Sequence, residues 1–219
     1  MIYLNETFAV TAGAVETFAR KFIDDLVPAM SRNGVEPLGL WQTWRTAELT
    51  TFWELPGNPA LDALDAAMTE DEALARHTRE ADDLVLDKRV KILSATPFCP
   101  DLARIKAEGL KGGVYMLAVI PLVPERMGEY LELFPQFGLR FEHKYGLKTV
   151  GYWRGGGGEP QQSDAFTCTQ LCAGESWEWW DSFNQQRAKD PEVRAWLERA
   201  IRYRGHHGYS YLIPRYLPY

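Results

Sequence analysis

The sequence predicts an α+β fold built from two tandem βαββαβ units, and two observations carry that expectation. The stretch Leu38-Gly39-Leu40-Trp41-Gln42 returns as Val150-Gly151-Tyr152-Trp153-Arg154, at an offset of 112. Tyr3 and Tyr115, Phe18 and Tyr130, Phe22 and Phe134, and Gly34 and Gly146 keep the same offset of 112. A fixed, ungapped offset over roughly 40 positions is what two copies of one supersecondary unit produce. The second observation is the order of apolar periods, which alternates between strand and helix spacing in the same way twice.

In the first copy, Ile2 to Val10 reads as a strand with Ile2, Leu4, Phe8 and Val10 on one face and Glu6 interrupting them. Tyr3, Asn5, Thr7 and Ala9 make a smaller, more polar face. From Ala14 the period turns helical through Val15, Phe18, Phe22, Leu26 and Met30, with Pro28 predicting a kink or an early end. Asn33-Gly34 closes that helix with residues that tolerate a left-handed conformation. Val35 to Trp44 and Glu48 to Leu55 are the next two strands, joined by the turn Arg45-Thr46-Ala47. Asn58-Pro59 then starts a helix through Leu61, Leu64, Ala67 and Met68 toward Leu84, interrupted around Thr69-Glu70-Asp71-Glu72. Arg89 to Ala95 is the last strand. Strand, helix, strand, strand, helix, strand is the split βαβ, ferredoxin-like unit.

The first repeat is thus expected over residues 1–100, a charged, glycine-bearing linker over 101–113 and the second repeat over 114–219. Val114 to Val123 is the first strand again, apolar enough for cover on both faces. Glu125 to Tyr145 is its helix, with Met127, Tyr130, Leu131, Phe134, Phe137 and Phe141 on the apolar side. Lys148 to Arg154 repeats the tryptophan strand. Gly155-Gly156-Gly157-Gly158 reads as a flexible hairpin tip, because a phosphate cradle needs a helix next and here a strand follows. Ala165 to Ala173 is that strand, Ser176 caps a helix that restarts at Asp190-Pro191-Glu192, and Gly208 to Ile213 ends the unit.

Composition excludes several function classes. A formal charge of −6 with dispersed basic residues argues against nucleic acid, which wants a basic stripe. No apolar run reaches the roughly 20 residues of a membrane span. The start Met1-Ile2-Tyr3-Leu4-Asn5-Glu6 lacks a basic region and cleavage site, and Cys99, Cys168 and Cys172 show no framework spacing. A cytoplasmic protein with reduced thiols is the expectation.

The chain resembles the NIPSNAP family and the wider dimeric α/β-barrel superfamily. The residues that carry the resemblance are Met1-Ile2-Tyr3, Thr7-Phe8, Gly13 at the helix entry, Phe52-Trp53, and the Asp190-Pro191-Glu192 break. It departs from that pattern at Leu4, Glu6 and Thr51. The resemblance implies two antiparallel four-stranded sheets packed as an α/β barrel, helices outside and a small cavity within. It also implies a choice among cofactorless monooxygenases, isomerases, cyclases and haem enzymes, which fold alone does not make.

Several residues are candidates for chemistry. His206 or His207, at the entrance to the last strand, would be the acid/base; adjacent strand residues point oppositely, so the pair does not hold one metal. Asn5 stands where a central strand wants an apolar residue, and a buried amide without partners costs about 1–3 kcal/mol. Tyr3 and Asn5 are therefore the expected polar orienters, with Trp41, Trp53 and Trp153 as walls. Gln170 lies between Cys168 and Cys172 on one strand face, which lines the cavity if concave and joins the core if it faces helices. The expected partner is a small apolar or aromatic molecule, with association of identical chains left open. No cofactor or metal is called for, although His77 and His143 lie on helices from which a haem ligand could come. A non-catalytic binding or assembly protein is the alternative from another class.

Overall fold

Strand and helix periods translate into elements near the predicted bounds. A computed structural model of the 219-residue chain describes residues 1–72, 74–76, 83–155, 166–205 and 207–219. The tetraglycine stretch after Gly155, together with His77 and His206, lies outside the described residues.

The strands are β1 (Ile2–Val10), β2 (Glu36–Thr43), β3 (Glu48–Leu55), β4 (Val85–Ala95), β5 (Val114–Pro121), β6 (Lys148–Gly155), β7 (Thr167–Gly174) and β8 (Gly208–Tyr216). The helices are α1 (Val15–Lys21), α2 (Val27–Arg32), α3 (Asn58–Glu70), α4 (Leu102–Glu108), α5 (Met127–Phe134), α6 (Arg140–Lys144), α7 (Trp177–Lys189) and α8 (Pro191–Ala200). Among the described residues, no helix is long and apolar enough to cross a membrane.

Two compact units divide the chain, Met1–Leu93 with Ile213–Tyr219, and Ser94–Leu212. In the first, β3 pairs antiparallel with β1 and β2. In the second, β7 pairs antiparallel with β5 and β6, and β5 with the start of β8. β4 and β8 each cross a unit boundary, after Leu93 and after Leu212.

Strand register makes positions in the two units directly comparable. Tyr3 faces Glu54 as Tyr115 faces Ala173, and Glu6 faces Thr51 as Ala118 faces Gln170. Thr11 N bonds Leu84 O as Val123 N bonds Tyr203 O. First strands therefore correspond at 112 and everything from β3 and β7 onward at 119.

The Gly-X-Trp motif is structural. Both β2 and β6 carry a bulge just ahead of the glycine, and the tryptophan ring two residues on lies over it. A Cβ at Gly39 would come 2.8 Å from the Trp41 ring, and one at Gly151 would come 1.9 Å from the Trp153 ring. No larger residue fits beneath either indole.

In each unit the first helix contains a wide turn: Phe22–Leu26 between α1 and α2, and Pro135–Leu139 between α5 and α6, are π-helical. Pro28 therefore does not end the first helix, since it sits in the opening turn of a new α segment. Helix and sheet enclose a core in each unit. In the first, Phe18, Phe22, Leu26 and Met30 meet Leu4, Phe8, Leu40, Leu49 and Trp53. In the second, Tyr130, Phe134 and Phe141 meet Ala118, Ile120, Tyr152 and Cys168, with Val193 and Trp196 from α8.

Candidate functional site

Strand alternation separates the residues expected to share one site. Tyr3 and Asn5 are buried on the face of β1 away from the helices; Tyr3 Oη donates to Glu54 Oε2 at 2.6 Å and Asn5 Nδ2 to Thr51 O at 3.0 Å. Asn5 is thus satisfied by backbone. Trp41 packs edge-on against Phe52, at 6.1 Å between centroids. Trp53 does not join them. It follows Phe52 on β3, points to the helix side, packs 5.2 Å from Phe22 and donates Nε1–H to Glu6 Oε2 at 2.8 Å. Trp153 and Gln170 part in the same way, because Gln170 pairs with Tyr152, which lies in the helix-side core.

Gln170 leads instead to a constellation the sequence reading missed. Its Nε2 donates to Glu142 Oε1 at 2.6 Å, and Thr149 Oγ1 donates to Glu142 Oε2 at 2.6 Å. Glu142 lies on α6 just after the π turn, and Phe134, Gly138 and Glu142 recur every four residues, the spacing the wider turn brings onto one face. All three line a cavity of about 160 Å³ between helices and sheet of the second unit. Tyr145, also on the lining, donates its hydroxyl to Asp190, which caps α8 and accepts Lys144 Nζ at 2.7 Å. The α5–α6 helix is thereby tied to α8.

Burial pushes the Glu142 carboxyl up to about 7, against weaker downward pulls from Thr149, Gln170 and Arg187. Its contacts are hydrogen bonds from neutral donors, and among the described residues no ion pair reaches it. A carboxyl that changes charge near neutral pH at a cavity wall is suited to taking and returning a proton. Phe134, Phe141, Phe183 and Trp196 supply apolar walls, and Arg187, Arg204, His207, Asn184 and Tyr211 are among the polar residues of the lining. His207 therefore stands at this cavity. Burial also pushes Cys168 up to about 12 and Cys172 well above the ordinary thiol range, which leaves both as uncharged core residues rather than nucleophiles.

Haem does not fit beside Glu142. A cavity of about 160 Å³ matches the size that holds one benzene ring, and a porphyrin is a macrocycle of four rings. His143 is exposed and borders a different cleft, with Arg104 and Lys148.

One signal could have found Glu142. Subtracting 112 lands on Met30, the last apolar residue of the first unit's helix stripe, so a charge occupies a core position.

No family model matches the chain, and no curated protein is significantly similar to it. Among solved structures, the chain is similar to a proposed monooxygenase from Lactobacillus acidophilus, with a TM-score of 0.68 and 8% identity over 98% of this chain and 93% of that one. An anthrone oxidase-like protein aligns with a TM-score of 0.64 and 10% identity over 97% and 90% of the two chains. A NIPSNAP domain protein from Burkholderia xenovorans aligns over 46% of this chain and all of its own, with 18% identity and a TM-score of 0.43. The two full-length likenesses, at 8% and 10% identity, show a shared fold.

Proposed function

We propose that the protein is a cofactor-independent enzyme of small-molecule metabolism, with Glu142 as the acid/base acting on a single-ring substrate in the second unit. The observation that supports this is a half-buried carboxyl, held by two neutral donors, at the wall of an aromatic-lined cavity. Ionised Glu142 takes a proton from a carbon next to a carbonyl, and the electron pair moves onto the carbonyl oxygen as an enolate. Returning the proton at another carbon is isomerisation, attack of the enolate carbon on a second carbonyl is cyclisation, and reaction of the enolate with dioxygen opens oxygenation. Thr149 and Gln170 fix the carboxylate's orientation, and the positive Arg187 favours the enolate. His207 is the second proton carrier on the lining, while Tyr3, Asn5 and Trp41 are scaffold. The similar structures named for monooxygenase and anthrone oxidase types support the class. The two units are then diverged copies of one fold, of which only the second serves chemistry.

Solvent deuterium exchange tests the shared first step without knowledge of the product. Single-ring ketones and 1,3-diketones incubated in deuterated buffer are expected to gain deuterium at the carbon acid, and Glu142→Gln to lose at least about 100-fold of that rate. Exchange by the variant at the wild-type rate would remove Glu142 from the role. No exchange with any carbon acid would favour a binding protein.

A further inference from the structure

Unpaired cations line the cavity that Glu142 borders. Arg187 and Arg204 are half-buried, and among the described residues neither has an ion-pair partner. Arg32, Arg89, Arg104, Arg140 and Arg215 are each paired with a carboxylate, and the other described arginines without such a pair, among them Arg20, Arg45, Arg194 and Arg199, are exposed. Burying a guanidinium without a partner is unfavourable, so an arrangement of two at one cavity asks for an anion.

Arg187 Cζ lies 5.2 Å from the centre of the Phe183 ring, and the backbone of Arg204 bridges to Leu122. In the first unit the position equivalent to Arg187 is Met68, a partly buried residue packed on the apolar core. The arginine is therefore a feature of the hollow unit and not of the fold.

We infer that the cavity of the second unit takes a small aromatic carboxylate, its ring among Phe134, Phe141 and Trp196 and its carboxylate on Arg187 and Arg204. The volume of about 160 Å³ suits one six-membered ring. A guanidinium is the side chain whose donors match a carboxylate two at a time, and the rings exclude the water that would compete. This substrate class rests on the proposed proton-transfer site, with a carbonyl-bearing group beside the ring as the part that Glu142 would address.

Isothermal titration calorimetry on the whole protein tests it, with benzoate and its neutral isostere benzamide as probes. Benzoate is expected to bind, benzamide at least about tenfold more weakly, and Arg187→Met to lose about tenfold in benzoate affinity while melting as a folded protein. Arg187→Lys, which keeps the charge but not the fork, should fall between. Glu142→Gln should retain benzoate binding while losing deuterium exchange. Equal affinity for benzamide, or no benzoate binding by the wild type, would overturn the inference. Arginine-dependent benzoate binding without exchange on any substrate would uphold it and sink the enzymatic reading. Glu142-dependent exchange on neutral ketones by a wild type that does not bind benzoate would do the reverse.

Discussion

The two units share one strand register and differ in what fills the space between helix and sheet. In the first, Trp53 occupies that space and donates to Glu6, which also pairs with Lys88 at 2.7 Å. In the second, the equivalents are Cys172 for Trp53, Ala118 for Glu6, His207 for Lys88 and Gly138 for Leu26. A large ring and an ion pair are replaced by small residues, and a carboxyl enters from the helix instead, at Glu142 in place of Met30. The lesson is that the space Trp53 fills in the first unit is a cavity in the second, and a handful of side-chain volumes makes the difference. Glu6 of the first unit is paired with a lysine, whereas burial pushes Glu142 of the second up to about 7.

The comparison can be broken most severely from the solid side. Trp53→Cys, which imports the second unit's residue, should destabilise the protein by about 3–5 kcal/mol, because a buried ring is lost and Glu6 loses a donor. Chemical denaturation would read this, and a loss below about 1 kcal/mol would mean that the first unit collapses around the gap.

Glu142→Gln probes the hollow side through pH. The folded state holds the Glu142 proton up to about 7, whereas the unfolded chain releases it near the ordinary glutamate value. Wild-type stability should therefore fall as pH rises between those two values, by at most about 3 kcal/mol, and stay level on either side as far as this group is concerned. The glutamine variant keeps donor and acceptor for Thr149 and Gln170 without the charge. Its advantage over wild type should grow across that window, and denaturation curves at a series of pH values that run parallel would contradict the raised carboxyl.

A smaller effect sharpens the account of the cavity. A Cβ at Gly138 would lie 2.4 Å from the Phe134 ring. Gly138→Ala should cost about 1–3 kcal/mol and shrink the cavity as Phe134 gives way, weakening any ring ligand. An unchanged melting temperature would show that Phe134 has room to spare.

Element order and strand faces were legible because both rest on local periodicity. Leu4, Phe8 and Val10 meet the helices and Tyr3 and Asn5 do not, as the alternation along β1 predicts. The candidate site was less legible. Trp41 and Trp53 were grouped by residue type, but they sit on opposite faces of neighbouring strands, as parity with Thr50 and Thr51 shows. Asn5 looked like an unsatisfied amide, and its partner is a carbonyl on the next strand, invisible without the register. His207 was placed correctly at a strand entrance, yet the acid beside which it stands comes from a helix 65 residues earlier.

By itself the sequence determined the order of strands and helices, the correspondence of Gly39-X-Trp41 with Gly151-X-Trp153, and which residues share a face. These follow from backbone geometry, where a period of two or 3.6 decides orientation residue by residue. Tertiary structure alone decided that Glu142 stands at a cavity wall, that Gln170 and Thr149 hold it, and that Arg187 and Arg204 share its cavity. A cavity is the volume left over when several elements pack, and a carboxyl's proton affinity depends on the water that packing removes. Neither quantity belongs to any local stretch of chain.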